Sequence, residues 1–297
     1  MFIRAVAISS LTVAAAALPS KLSRPDAIEA AAERIIEFNR SVASAHNVGI
    51  VNGRTTEAGE WEGTVMVVGS TGDCDDAGLC TGMFIHPEVV MSAGHCCASG
   101  DVKAICGGKE RPGVKLAQSV DTFADNFGFN DFCLIHLDRA VTTVPIYQVA
   151  VPDDVFARED AIIVGYGVSN SGLPQLGAGT QREGLVQITR TGGILPPGID
   201  IFVTGRTGMP YQNACNGDSG GPIFMRNQAG QGLVVGGVTS RGGLFCPANS
   251  EGIYTSAVQD TNLASITTVT REWLGAASEI VPGVCPVTQC CYEMRCD

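Results

Sequence analysis

The chain has 297 residues, 45% hydrophobic and 16% charged, with 37 glycines, 12 cysteines and only 6% aromatic residues. That balance excludes a disordered chain and suits a loop-rich β protein with a sizeable core. The net charge of −11 argues against nucleic acid or an anionic membrane surface as partner, and reads most simply as a solubility charge.

Arg4 precedes an apolar run, AVAISSLTVAAAALPS, that ends in small residues, the layout of a secretory signal peptide over residues 1–17. The run is too short and alanine-rich to anchor the chain across about 30 Å of hydrocarbon, and no later segment qualifies, so no membrane partner is expected. A secreted, extracellular chain then makes the even number of cysteines a disulfide set. Residues 18–49 differ in character from the rest of the chain. Pro25 and Asp26 begin a run of good helix formers through about Asn39, which also carries the glycosylation sequon Asn39-Arg40-Ser41. The stretch is either a helical first element or a pro-segment. Ile50-Val51-Asn52-Gly53 looks like a second chain beginning and favours the pro-segment.

From Ile50 onward the pattern is short strands and glycine-rich turns: GTVMVVG, GMFIHP, VVMSAG, FCLIHL, AIIVGYG, GLVQIT, DIFVTG, GPIFM and GLVVGGVTS. Such strands predict β-barrels or sandwiches. The polar, proline-containing VTTVPIYQVAVPDD divides them into halves, about 50–145 and 152–265. One helix is predicted over 268–280, from the helical spacing of Val269, Trp273 and Leu274. The tail, 281–297, holds Cys285, Cys290, Cys291 and Cys296. With no histidine or spaced CxxC pair beside them, these read as a disulfide-stapled tail rather than a zinc knuckle.

The residues that carry chemistry are few. Ser219 in NGDSGGP stands among glycines that allow a strained turn, although an ordinary glycine-rich hairpin has the same look. A cysteine nucleophile is the alternative, but the cysteines all sit in disulfide-like company. A serine hydroxyl needs a base. His46 lies in the pro-segment, His86 beside Pro87 in a turn, and His136 mid-strand among apolar neighbours. His95 instead ends the apolar strand VVMSAGHC. The base needs a carboxylate to hold its tautomer, and Asp131 heads the apolar strand NDFCLIHL, where a buried acid is costly unless paired.

These segments together resemble the trypsin/chymotrypsin-like serine peptidases over residues 50 to about 280. VMSAGHC resembles the segment around the family's histidine, NDFCLIHL that around its aspartate, and CNGDSGGP that around its nucleophile. The resemblance implies an all-β fold of two packed antiparallel six-stranded β-barrels with a C-terminal helix and the active site in the cleft between barrels. It implies a triad of His95, Asp131 and Ser219, an oxyanion hole from the N–H groups of Gly217 and Ser219, and bridges Cys80–Cys96 and Cys215–Cys246. VTSRGGLFC followed by EGIYT looks like the family's substrate strand and pocket wall. Ser240, Arg241 and Gly242 then pair with substrate, Asn213 forms the pocket floor, and Gly242 and Gly252 its walls. Activation is expected to cut before Ile50, whose new ammonium pairs with Asp218.

The implied function is a secreted serine endopeptidase made as a zymogen, acting on polypeptides after an activating protease has cut it and open to protein inhibitors. No metal or cofactor is implied. An uncharged Asn213 predicts cleavage after a neutral residue, aromatic or Leu, rather than after Arg or Lys; Glu251 beside Gly252 is the residue that would reverse this. The rival reading is a non-proteolytic binding or decoy protein on the same fold. The sequence also departs from the family. Gly49 stands where Lys or Arg usually precedes the cut, Arg241 where tryptophan is usual, and Ala161 and Val203 where one bridge is common. Cys74, Cys97, Cys106, Cys133 and the tail cysteines have no clear counterpart.

Overall fold

The computed structural model describes residues 49–275, apart from 70–77, 99–102, 108–113, 126–129, 155–156, 171–175, 193–199, 207–210, 228–231, 244–245 and 248–249. The expected signal peptide, the cysteine-rich tail and, but for Gly49, the pro-segment lie outside the described residues.

After β1 (Arg54–Thr55) the chain forms β2 (Thr64–Val68), β3 (Leu79–His86), β4 (Val89–Ser92), β5 (Ala104–Cys106), β6 (Lys115–Asp125) and β7 (Phe132–Leu137). These six close into an antiparallel barrel in the order β2-β3-β4-β7-β6-β5. A second ring comes next: β8 (Asp160–Gly165), β9 (Arg182–Thr191), β10 (Asp200–Gly205), β11 (Pro222–Arg226), β12 (Leu233–Arg241) and β13 (Gly252–Ser256). Its order is β8-β9-β10-β13-β12-β11, closed by the pairing of β11 with β8. β1 adds to β9, setting Arg54 opposite Glu183. The chain is therefore two closed six-stranded barrels with a C-terminal helix.

Successive strand residues point to opposite faces, and here both faces are covered. In the first barrel Phe84, Val90 and Ile135 fill the interior with Val65 and Val67. Their strand neighbours Met83, Ile85, Val89, Met91 and Leu134 pack outward against Val164, Leu185, Phe224 and Val238 of the second barrel. Trp61 stacks on Phe224 at 4.6 Å in the same layer. Double coverage explains why FCLIHL and VVMS are apolar at both parities. The described residues contain no helix long and apolar enough to cross a membrane.

Two short helices position the rest: α1 (Gly94–Cys97) and α2 (Asp260–Leu274). The helix expected over 268–280 instead begins at Asp260, inside the span assigned to the second barrel, and ends at Leu274. The Gln259 side chain accepts the N–H groups of Thr261 and Asn262, capping the helix early, and Gly275 at φ 82° ends it. The sequence pattern also missed β1, β5 and the largely polar β6, and gave β13 only as pocket wall.

Bridges join Cys80 to Cys96 and Cys215 to Cys246, and Cys97 to Cys133. Cys106 is disulfide-bonded as well. Ala161 on β8 and Val203 on β10 are both fully buried in the second barrel's core, so apolar packing occupies those places.

Candidate active site

His95 leaves the first barrel on α1, directly after β4. Gly94 is required there: a Cβ would lie 2.7 Å from Asp125 O and 2.9 Å from Phe132 N. Without one, α1 closes on the head of β7. The His95 backbone N–H donates to Asp131 Oδ1 at 2.7 Å, and its ring Nδ1 meets Oδ2 at 2.7 Å. One carboxylate thus fixes both the main chain and the ring of His95. The Ser240 hydroxyl donates to the same Oδ2 at 2.7 Å. Burial pushes the Asp131 carboxyl up, but His95 and Ser240 outweigh it and hold the group below its ordinary range. Asp131 accepts from Nδ1–H, which leaves Nε2 of a neutral ring as a proton acceptor. The His95 side chain is 42% exposed, so that face is open to solvent.

Ser219 is carried by the second barrel, in a turn where Gly217 and Gly220 hold φ of 92° and 80°. A Cβ on Gly220 would lie 2.1 Å from Ser92 Oγ and 2.3 Å from Thr81 O, so only glycine lets the turn approach the first barrel. Thr81 makes the join. Its N–H donates to Ser219 O and its hydroxyl to Gly217 O, both at 2.8 Å. Cys96 Sγ, next to His95 in the chain, sits 3.7 Å from Ser219 O. Among the described residues, the Ser219 hydroxyl and the N–H groups of Gly217 and Ser219 have no hydrogen-bond partner. The structure thus joins His95, Asp131 and Ser240 and draws the Ser219 turn up to them, with the Ser219 hydroxyl not bonded to His95.

Asp218 is buried, its two oxygens accepting the N–H groups of Gly167 at 2.7 Å and Cys215 at 2.8 Å. A Cβ on Gly165 would lie 2.1 Å from Oδ1. Burial pushes its carboxyl up to about 7, only partly offset by those two N–H groups and by Arg182. Ile50 is 1% exposed within the second barrel's core, at φ 32° and ψ 111°. Its nitrogen is acylated by Gly49 and carries no charge, so it forms no ion pair with Asp218.

Asn213 and Gly252 are brought together, a Cβ on Gly252 falling 2.7 Å from Asn213 Oδ1, while Gly242 stands open. The Asn213 amide donates to Ser250 O and Oγ at 3.0 Å, and its Oδ1 accepts from Ala214 N–H. Glu251 instead pairs with Arg190 at 2.9 Å and accepts from Thr189. Arg241 pairs with Asp200 at 2.6 Å.

Of the remaining histidines, His86 and His136 serve packing. His86 accepts from Glu88 N–H at 3.0 Å, and burial, with His136 nearby, holds its pKa down at about 4. His136 stacks on Trp273. His46 lies outside the described residues. Among those residues the group closest to metal-ligand spacing is Cys80, His95 and Cys96, but its two sulfurs are bonded to each other and are not thiolates.

Sequence reasoning missed Thr81 as the link between barrels, Ser240 as the third partner of Asp131, and Asp200 altogether. Only Cys80, beside Thr81 in the chain, hinted at the first.

The protein-family model described as Trypsin matches residues 50–262. A curated relative, Lectizyme of Glossina austeni, is 26% identical over 224 residues, 68% of this chain and 79% of that protein.

Proposed function

Because the chain belongs to the trypsin family of serine peptidases, we propose that it hydrolyses peptide bonds through Ser219, His95 and Asp131 acting as one unit. Ser219 attacks the scissile carbonyl, His95 Nε2 takes its proton and returns it to the leaving amine, and Asp131 stabilises the imidazolium. The free N–H groups of Gly217 and Ser219 receive the developing oxyanion. The observation that carries this reading is the double grip of Asp131 on His95, through main chain and ring. No metal or cofactor takes part.

The uncut chain is the latent form. Seating Ile50 in the second barrel while the chain continues through Gly49 holds a β-branched residue at positive φ, a conformation it avoids. A cut before Ile50 relieves that strain and supplies an ammonium beside Asp218, a buried acid that Arg182 offsets only in part and that has no ion-pair contact among the described residues. With Gly49 before the bond, the activating protease is not one that requires Lys or Arg. Disulfides and the apolar leader suit secretion. Polypeptides are the substrates and protein inhibitors a further partner class. The side-chain pocket accepts a neutral residue, aromatic or Leu.

The test is a fluorophosphonate probe applied before and after Ile50 is freed. The cut wild type is expected to be labelled at Ser219 and to cleave peptide amides; Ser219→Ala is expected to fold normally, escape labelling and lose nearly all activity. A correctly cut, folded chain that takes no label would instead favour the binding or decoy reading.

A further inference from the structure

The β12–β13 ladder changes register between Thr239 and Arg241, so Ser240 is an extra residue at a bulge. Bulges re-aim side chains, and this one turns Ser240 toward Asp131 on the other barrel. Its hydroxyl has one proton, and an ionised carboxylate only accepts, so that proton lies on the line to Asp131 Oδ2. Arg241 Nη1 donates to the same Ser240 oxygen at 3.2 Å. Arg241 Nη2 is 2.6 Å from Oδ2 of Asp200, whose side chain is only 4% exposed.

We infer that Arg241 and Asp200 are positioning residues: they clamp the Ser240 oxygen from behind, commit its proton to Asp131, and so tune the orientation and basicity of His95. The line runs from Asp200 on β10 through Arg241 and Ser240 on β12 to Asp131 and His95 on the first barrel. The planar guanidinium fork holds two partners at a fixed angle, which a lysine ammonium cannot do. Arg241 also stands between two carboxylates, Asp131 and Asp200, that repel one another. A tryptophan at this position brings no charge to the line. The other charged groups facing it are already engaged: Arg190 on β9 stacks over Phe202 on β10 and pairs with Glu251 ahead of β13, and Asp125 at the end of β6 accepts from Asn130.

The kinetic part rests on the peptidase reading; the titration part does not. The His95 pKa is measured by NMR in the full chain for wild type, Arg241→Met and Asp200→Asn. Removing the cation raises the imidazole pKa, and removing Asp200 lowers it by leaving the cation uncompensated, so opposite shifts are expected. In the cut enzyme, kcat on a small ester that fills only the first pocket is expected to fall roughly tenfold in Arg241→Met with KM little changed, about the loss of one positioned hydrogen bond. Arg241→Lys restores the direction of the pKa but not kcat. Arg241→Met combined with Asp200→Asn leaves no unpaired buried charge, and is expected to return the pKa toward wild type while kcat stays low. Unchanged His95 pKa values in both single variants overturn the inference. So does a loss confined to KM on extended peptides, which would make Arg241 a substrate contact. A wild type inert to fluorophosphonate yet showing the opposite pKa shifts would sink the peptidase reading and leave the brace standing.

Discussion

The carboxamide of Asn213 already spends its donors on Ser250 and its acceptor on Ala214. As the floor of the proposed side-chain pocket it offers a dipole at most, and a buried guanidinium with no carboxylate costs on the order of several kcal/mol. Glu251, the residue able to reverse that argument, is held outward by Arg190. In matched peptide amides, kcat/KM is expected to be highest with Phe, Tyr or Leu before the scissile bond, and Glu251→Gln is expected to leave that order intact. A tenfold advantage for Arg or Lys, about 1.4 kcal/mol of transition-state preference, would end the neutral-pocket reading. At this scale the proposed triad of His95, Asp131 and Ser219 could be picked out because each is marked by its immediate neighbours: an apolar strand end, an acid before an apolar run, a ring of glycines. Thr81 and Ser240 could not. Their decisive bonds reach 136 and 109 residues along the chain, and nothing beside them in sequence announces those partners.

Between elements, the join of β1 to β9 is ionic. Arg54 Nε and Nη2 donate to Glu183 Oε1 at 2.8 and 2.6 Å, Nη2 also reaches Glu60, and Trp61 Nε1 donates to Glu183 Oε2 at 2.6 Å. All four residues are buried, so each charge depends on its partners. Replacing Glu183 by Gln keeps Glu60 as the counter-charge of Arg54 but leaves one acceptor oxygen where Arg54 and Trp61 use two, and is expected to cost about 1–3 kcal/mol in denaturant unfolding. A change below about 1 kcal/mol would mean that Glu60 alone satisfies the guanidinium. The helix α2 shows why element boundaries were less legible than strands. Its buried face is Asn262, Ile266, Val269 and Thr270, and its first and last members are polar. Asn262 is buried because it exchanges hydrogen bonds with Asn130 and donates to Ser256 O. A polar residue satisfied by a distant amide erases the apolar period by which a helix is recognised in sequence. β6 was hidden in the same way: backbone pairing with β5 and β7 defines it while much of its surface is exposed.

For the whole molecule, the response to pH is set by buried acids pulling against His86, whose pKa, held down at about 4, costs stability as pH falls below about 6.5. Asp218, pushed up to about 7 by burial, has a folded pKa above its unfolded value of about 3.9, so the native chain binds more protons through that window. Its contribution to stability is therefore greatest at low pH and falls as pH rises through about 4 to 7. Asp200, also raised by burial, acts in the same direction. Asp131, held below its ordinary range, acts oppositely, its contribution lost as pH falls through the carboxylate range. The uncut chain is expected to be less stable at about pH 8 than at about pH 5, and cleavage before Ile50 to flatten or reverse that slope by giving Asp218 a cation. Denaturant midpoints of both forms at the two pH values check this; equal slopes would show that the new amine does not reach Asp218. The short apolar strands left barrels and sandwiches equally open, and only the resemblance carried by the chemistry-bearing segments pointed to two six-stranded barrels. The way the halves interlock was not legible, because Thr81, Ser92 and Gly220 meet only after both barrels exist.

Cys96 and Cys97 come directly after His95 on α1, and their bridges leave in different directions, to β3 and to β7. Neighbours on a helix point about 100° apart, so these two staples fix the rotation of the turn that carries His95. While the chain is still being oxidised, the two thiols are adjacent and chemically alike, and a swapped pairing competes with the native one. The swapped isomer would satisfy every one of these sulfurs while rolling His95 off the Asp131 carboxylate. Correct pairing of these four cysteines is then a condition for the histidine's orientation, set by thiol–disulfide chemistry rather than by the barrel strands alone.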